Sequence, residues 1–170
     1  WQGITEFDQV ARQAGCSLAT VRKHFPSKEI LYRSCTRAFA ETLPLPDIEV
    51  LAKIENLPRR LRQCVDELCR VHESMFGYAW LAAYERENSP TLDAVMSDYV
   101  GMADAIAELI ASADSPKAGV VRGLLGFLTY RALRLDGDLT PPQVADELVT
   151  TISMVIDVKI NYSLPKGKRK

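Results

Sequence analysis

The segment from residue 5 to residue 33 most constrains the fold, because its end signals predict two short helices joined by a tight turn, with a third helix directly after them. Thr5 is a candidate cap for the first helix, and Gly15 ends that helix because glycine adopts the left-handed conformation at little cost. Ser17 caps the second helix, and Ser27 caps the third. Two helices joined by so short a turn cross steeply, as in a helix-turn-helix unit.

The second helix has an apolar and a polar face. If Leu18, Val21 and Phe25 face the first helix, helical geometry turns the intervening side chains outward. The outward positions are Ser17, Ala19, Thr20, Arg22, Lys23 and His24. Hydroxyls and cations of this kind suit base edges and phosphates. Helix-turn-helix geometry also occurs in proteins that do not bind DNA, so the spacing alone leaves both interpretations open.

The run AxxAGCSxATVxKHFPSKExL resembles the motif of the TetR family of bacterial transcription regulators, whose pattern is approximately IAxxAGVSxGTLYxHFxxKExL. The resemblance implies that the outward residues of the second helix form the DNA-binding site, together with Thr5 and Lys28. Lys28 is implied to contact a phosphate, where a helix N-terminus and an ammonium group act on one anion. Arg22 stands where the family usually has a phosphate-contacting tyrosine, which leaves the base preference open. Cys16 replaces a valine, and Ala19 replaces a common glycine.

The resemblance also implies a complete helix ahead of the motif, whereas only four residues precede Thr5. We therefore expect the first helix of the DNA-binding domain, residues 1–43, to be missing from this sequence and its DNA affinity to be weaker than that of the intact protein. Three prolines follow Leu43, at positions 44, 46 and 58, and the segment predicts a connector with a short helix. Residues 44–164 are expected to form a helical domain for effector binding and dimerisation, and residues 165–170 a basic tail.

Charge is distributed unevenly along the chain of 170 residues, although the net charge is only −1. Residues 1–43 hold 6 Lys and Arg against 4 Asp and Glu, whereas residues 44–164 hold 11 against 18. A positive end on a negative body suits a protein that contacts DNA with one end. No apolar run is long enough to span a membrane, and no signal peptide is visible.

The four cysteines show no framework spacing, so we expect reduced thiols. This expectation agrees with the bacterial cytoplasm and nucleoid as the location that the resemblance implies.

Helix-start signals recur in the C-terminal part. Ser89-Pro90, Ser115-Pro116 and Thr140-Pro141 each place a hydroxyl before a proline, and a further helix is expected to begin near Pro58. No credible strand pattern occurs, so the predicted fold class is all-α. The helix from Pro58 is expected to continue past Gly77, with a bend there.

Two neighbouring middle helices concentrate aromatic rings, thioethers and polar groups, a composition typical of a pocket for an apolar or aromatic small molecule. The candidate ligand-binding residues are Cys64, His72, Met75, Phe76, Trp80, Tyr84, Met96, Tyr99 and Met102. The same residues can equally fill an ordinary helical core. The resemblance implies an inducer pocket in the middle helices, without assigning individual residues.

The last two helices are the candidate homodimer interface. Three glycines occur in an apolar helix, where each costs about 1 kcal/mol relative to alanine, and the close approach of another backbone would explain them. The interface candidates are Gly119, Gly123, Phe127, Val144, Leu148, Ile152 and Val155. The resemblance implies a four-helix interface between two subunits, which would bind a palindromic DNA operator. Burial of these residues within one chain is the alternative.

Two other function classes remain open. An enzyme is disfavoured, because Cys69 and His72 form a single metal-type pair without a second one, and no phosphate-binding loop or hydrolase motif occurs. A helical small-molecule-binding homodimer with a vestigial DNA-binding part is the closer alternative. No cofactor is expected. The resemblance favours a repressor released from DNA by a small effector.

Overall fold

The computed structural model describes residues 6–77, 86–112 and 115–158, and every secondary-structure element in those ranges is helical. The elements are α1 (Phe7–Ala14), α2 (Leu18–His24), α3 (Lys28–Ala40), α4 (Ile48–Ala52), α5 (Leu57–Ser74), a 3-10 turn (Arg86–Asn88), α6 (Pro90–Ile110), α7 (Ala118–Leu125), α8 (Phe127–Leu135) and α9 (Pro141–Val155). The prediction of an all-α fold is confirmed. None of these helices is both long and apolar enough to cross a membrane.

Most predicted helix ends are where the local signals place them. Ser17, Ser27 and Ser89 each accept a hydrogen bond from the amide three residues further on, at 3.1, 3.2 and 3.3 Å. Gly15 ends α1 with a φ of 64°, in the left-handed region. These signals are local, because each cap and its partner lie within one turn of helix.

The first helix begins one residue later than predicted. Glu6 occupies the cap position of α1, and its backbone N–H donates to Oε1 of Gln9 at 3.3 Å. Thr5 lies outside the described residues. The side chain that completes the cap therefore comes from within the helix.

Two other helix bounds differ from the predicted ones. The helix expected to start near Pro116 begins at Ala118, because the Ser115 hydroxyl accepts a bond from the Lys117 amide, only two residues on, and so closes a turn. The helix expected to continue past Gly77 ends at Ser74, and Gly77 lies in the following turn.

A break separates α7 from α8, where the sequence predicted one helix. Gly126 has φ −68° and ψ 148°, which is extended backbone and ends α7 at Leu125. Gly126 then acts as the cap residue of α8, because its carbonyl accepts the amide of Tyr130 at 3.1 Å.

The described chain divides into two compact units. One comprises residues 1–44 with 74–101, and the other comprises residues 45–73 with 102–170, each within the ranges given above. The predicted boundary after Leu43 falls next to one of these divisions, while residues 74–101 group with the N-terminal segment. The functional assignment of the domains stays a prediction.

The second unit has an aliphatic core supplied by α5, α6, α7 and α9. Its most deeply buried aliphatic side chains are Leu61, Val65, Leu68, Val71, Ile106, Val121, Leu125, Val144 and Ile152. Burial of each such side chain contributes on the order of 1.5–3 kcal/mol. The predicted apolar stripe of the last helix is therefore part of this core.

Candidate functional site

The inner face of the N-terminal helices is small and apolar. Helix α1 packs against α2, and Ala11, Val21 and Leu31 are buried. Phe25 is half-buried and Leu18 is 37% exposed, so the predicted inner face of α2 is fully buried only at Val21. Leu18 lies about 60° around the helix from Val21, which places it at the edge of the packed face.

The outer face of α2 carries the predicted DNA-binding residues. Ser17, Ala19, Thr20, Arg22, Lys23 and His24 are all exposed. At about 100° per residue, Ala19 and Lys23 lie most directly opposite the buried Val21, with Thr20 and Arg22 beside them. The Thr20 hydroxyl is within 2.9 Å of the Ser17 hydroxyl, which ties both to the start of the helix.

Arg22 and Lys23 of α2 differ from the neighbouring Lys28 in their pairing with carboxylates. Helix α2 contains no carboxylate, and neither Arg22 nor Lys23 makes an ion pair with any residue in the described ranges. Lys28 is also exposed, but its Nζ lies 2.6 Å from Oε1 of Glu6. The predicted phosphate contact of Lys28 therefore competes with an intramolecular carboxylate, whereas Arg22 and Lys23 are available to an anion from outside.

The predicted effector-binding residues are divided between the two units. Cys64, His72 and Met102 belong to the second unit, and Met75, Phe76, Met96 and Tyr99 belong to the first. Cys64, His72, Met75 and Met96 are buried, while Phe76, Tyr99 and Met102 are half-buried. Trp80 and Tyr84 lie outside the described residues. The set is thus not brought together within either unit.

His72 has a partner that the sequence did not reveal. Its side chain is 1% exposed, and Nε2 lies 2.9 Å from the carbonyl oxygen of Leu125, the last residue of α7. The imidazole also contacts the rings of Phe127 and Tyr130, with centroids 5.8 and 5.2 Å away. Burial lowers the pKa of His72 to about 4, against the opposing effect of the Leu125 bond. At neutral pH the ring is therefore an uncharged donor within the core.

Glu73, the residue after His72, forms a second set of hydrogen bonds. The hydroxyl of Tyr130 donates to Oε2 of Glu73 at 2.6 Å, and Arg134 donates to both carboxylate oxygens at 3.2 and 3.3 Å. Partial burial raises the pKa of Glu73, but the bonds from Tyr130 and Arg134 outweigh it and hold the pKa below its ordinary value. The third guanidinium nitrogen of Arg134, Nη1, donates to the Leu139 carbonyl at 2.6 Å.

Sequence reasoning missed Glu73, Tyr130 and Arg134. Tyr130 and Arg134 lie 57 and 61 residues after Glu73 in the chain, so their bonds to it leave no local sequence signal. The spacing of four residues between Tyr130 and Arg134 is too common in helices to single them out.

Two of the four cysteines, Cys64 and Cys69, are buried thiols. Burial raises the pKa of Cys64 to about 11 and that of Cys69 to about 12, so both are protonated at neutral pH. In the described ranges, no group of three or more His, Cys, Asp or Glu side chains can hold a metal ion.

The predicted dimer residues are only partly exposed. Val144, Leu148 and Ile152 are buried within one chain, as is Phe127, so for these four the prediction of a partner-facing surface is wrong. The physical reason is that the core of the second unit already covers this side of α9. Gly119 and Gly123 are exposed and Val155 is half-buried, so these three remain interface candidates.

Other apolar side chains are exposed in this region. Val120, Leu128, Leu135 and Met154 are all more than half exposed. A Cβ built at Gly119 or Gly123 meets no other atom within 4 Å, so close backbone approach within the chain does not explain these glycines.

Comparison with known proteins yields no match: no protein-family profile, no curated protein and no solved structure is similar to the chain.

Proposed function

We propose that the chain is a ligand-responsive DNA-binding transcription regulator, a repressor that binds a palindromic operator as a homodimer and is released by a small apolar or aromatic effector. The exposed surface of α2 carries this proposal, because Arg22 and Lys23 pair with no carboxylate among the described residues and the helix packs against α1. The resemblance of residues 11–31 to the TetR motif supports the same function.

The proposed reading helix inserts its outer face into the major groove. Lys23 and Ala19 point most directly at the base edges, and Arg22 reaches either a guanine or a phosphate. Exposed apolar side chains of α7 and α8 support self-association, because a partner subunit would remove them from water. Two-fold symmetry would then place two copies of α2 on successive half-sites.

The experiment measures DNA binding by fluorescence anisotropy, with a labelled duplex selected from a random-sequence pool, over a series of salt concentrations. Lys23→Gln is expected to weaken binding and to reduce the slope of log affinity against log salt by about one, because one positive charge that displaces counterions from the DNA is removed. Arg22→Gln distinguishes the two roles of arginine. Loss of discrimination at one base pair indicates a base contact, and uniform weakening indicates a phosphate contact.

Arg37→Gln is the matched control. It removes the same charge from an exposed arginine of the same unit, but this arginine lies in the last turn of α3 and pairs with Glu41. We expect its affinity to stay within about twofold of the unchanged protein. Equal losses for Lys23→Gln and Arg37→Gln would reduce the effect to overall charge and contradict the proposed interface.

A small-molecule-binding homodimer without DNA binding is the second candidate. The buried and half-buried sulfur and aromatic side chains of α5 and α6 favour a binding role in either case. Effector binding with no selected duplex, and no salt-dependent affinity, would support this candidate over the regulator.

A further inference from the structure

The end of α7 leaves a carbonyl group that its own helix cannot satisfy. The chain becomes extended at Gly126, so the regular bonds to the last carbonyls of α7 are interrupted there. The Gly123 carbonyl is satisfied locally, by the Gly126 amide at 3.2 Å and the Thr129 hydroxyl at 2.7 Å. For the buried Leu125 a donor comes from a distant part of the chain, and that donor is His72.

The geometry fixes the form of this bond. A carbonyl oxygen only accepts, so Nε2 of His72 must carry the proton. The rings of Phe127 and Tyr130 lie against the imidazole and restrict its orientation. Leaving a buried carbonyl without a donor costs on the order of 1–3 kcal/mol. The extended conformation at Gly126 is therefore more stable with His72 in place than without it.

Glu73 adds a second connection on the other side of the break. It accepts bonds from Tyr130 and Arg134 of α8, and Arg134 in turn bonds the Leu139 carbonyl ahead of α9. Two consecutive residues at the end of α5 thus bond the last residue of α7 and the middle of α8. We call His72, Glu73, Leu125, Tyr130 and Arg134 the α5–α8 junction.

We propose that His72 is a positioning residue that holds the break between α7 and α8 through its bond to Leu125, and thereby sets the direction in which α8 presents its exposed Leu128 and Leu135. This role differs from the effector contact expected for His72 from the sequence. A displacement of the end of α5 changes the angle at the break, because both connections of the junction move with it. The effect of His72 on self-association rests on the homodimer of the proposed function, whereas its role at the break does not.

The first test is the state of the imidazole in the full chain. Nitrogen NMR of labelled histidine should show His72 as the neutral Nε2–H form at pH 7. The Nδ1–H form would overturn the proposal, because its Nε2 carries no proton to donate to the Leu125 carbonyl. This measurement needs no variant and stands even if a substitution prevents folding.

The second test is amide hydrogen exchange in His72→Phe, which keeps an aromatic ring but removes the donor. We expect exchange of the Gly126 and Tyr130 amides to accelerate about tenfold more than that of the amides in α9, because the break loses its distant bond. His72→Gln should largely restore the original rates, since its side-chain amide offers a donor at a similar distance from the backbone.

Leu68→Ala is the control for general loss of stability. Leu68 is a buried residue of α5 that lies one turn ahead of His72 and contributes no side-chain hydrogen bond. Its truncation should accelerate exchange at the break and in α9 to a similar extent. If His72→Phe gives the same uniform pattern, or if His72→Gln gives no recovery, the positioning role is contradicted.

Sedimentation of the same variants tests whether the break affects self-association. We expect His72→Phe to weaken self-association and His72→Gln to retain it, at protein concentrations where each variant is folded. Unchanged self-association in His72→Phe would contradict the link from the break to the exposed face of α8. A chain that is monomeric throughout would instead contradict the homodimer of the proposed function, and the exchange pattern would still decide the role of His72.

Discussion

Helix α9 and the pair α7 and α8 are both rich in aliphatic residues, yet they bury them to different extents. Val144, Leu148 and Ile152 of α9 are at most 3% exposed, whereas Val120 of α7 and Leu128 of α8 are more than half exposed. An apolar sequence therefore indicates that a helix needs a cover, but the neighbouring elements decide whether that cover comes from the same chain. Helices α7 and α8 leave these apolar side chains open to a partner, whereas the buried stripe of α9 is already covered by its own chain.

The largest expected effect comes from replacing a leucine by alanine, once in the buried stripe of α9 and once on the exposed face of α8. Leu148→Ala should lower the free energy of unfolding by about 2–5 kcal/mol, because it opens a cavity in the core. Leu128→Ala should change it by less than about 0.5 kcal/mol under conditions that keep the chain monomeric, because its side chain is already in water. Urea denaturation measures both. Similar losses for the two variants would remove the distinction between the faces.

A pH series tests how the break between α7 and α8 is held. The folded chain binds a proton at His72 only near pH 4, whereas the unfolded chain binds it near 6.5, so acid favours unfolding in this interval. Stability is greatest above pH 6.5 and should fall by roughly 2 kcal/mol from this cause between pH 6.5 and pH 5. The carboxylate of Glu73, whose pKa is lowered from 4.5, adds its own loss only at lower pH.

His72→Gln provides the control for the pH series, because glutamine does not titrate. Its stability should change little between pH 6.5 and pH 5 in urea denaturation. An equally steep fall in this variant would place the titrating group elsewhere. Amides next to Gly126 should also exchange faster at pH 5 relative to those of α9, after correction for the intrinsic rates.

The smallest effect concerns how α9 starts. The Thr140 backbone N–H donates to Oε1 of Gln143 at 2.8 Å, whereas Lys117, at the start of α7, makes no side-chain cap bond. Gln143→Ala should therefore cost about 0.5–1 kcal/mol in thermal or urea denaturation. Glu147→Ala, at an exposed position one turn further along α9, should be close to neutral. Equal costs would mean that the capping bond contributes nothing measurable.

Features decided within one turn of chain could be predicted from the sequence. The caps at Ser17, Ser27 and Ser89, and the left-handed Gly15, depend on amides three or four residues away and were all correctly predicted. The exposed polar face of α2 follows from the same helical spacing.

Features decided by distant partners could not be predicted. The donor to the Leu125 carbonyl is 53 residues away in the chain, so His72 had the same signature as a ligand-binding or an ordinary core histidine. The stripe of α9 showed an apolar face but not what covers it. The extended Gly126 could not be distinguished from a tolerated helical glycine, because a single glycine fits both.

The last turn of α2 has a consequence for the energetics of any complex that it forms. Arg22 and Lys23 lie at the negative end of the helix dipole, and each positive charge there stabilises the helix by about 0.3–1 kcal/mol. A helix of 7 residues is too short to persist alone, so it needs this support in addition to the packing of Val21. The same charges that would attract a phosphate thus preorganise the helix before an anion arrives. If α2 binds DNA as proposed, neutralising these charges should lower the affinity twice, once through the lost contact and once through the cost of ordering a looser helix.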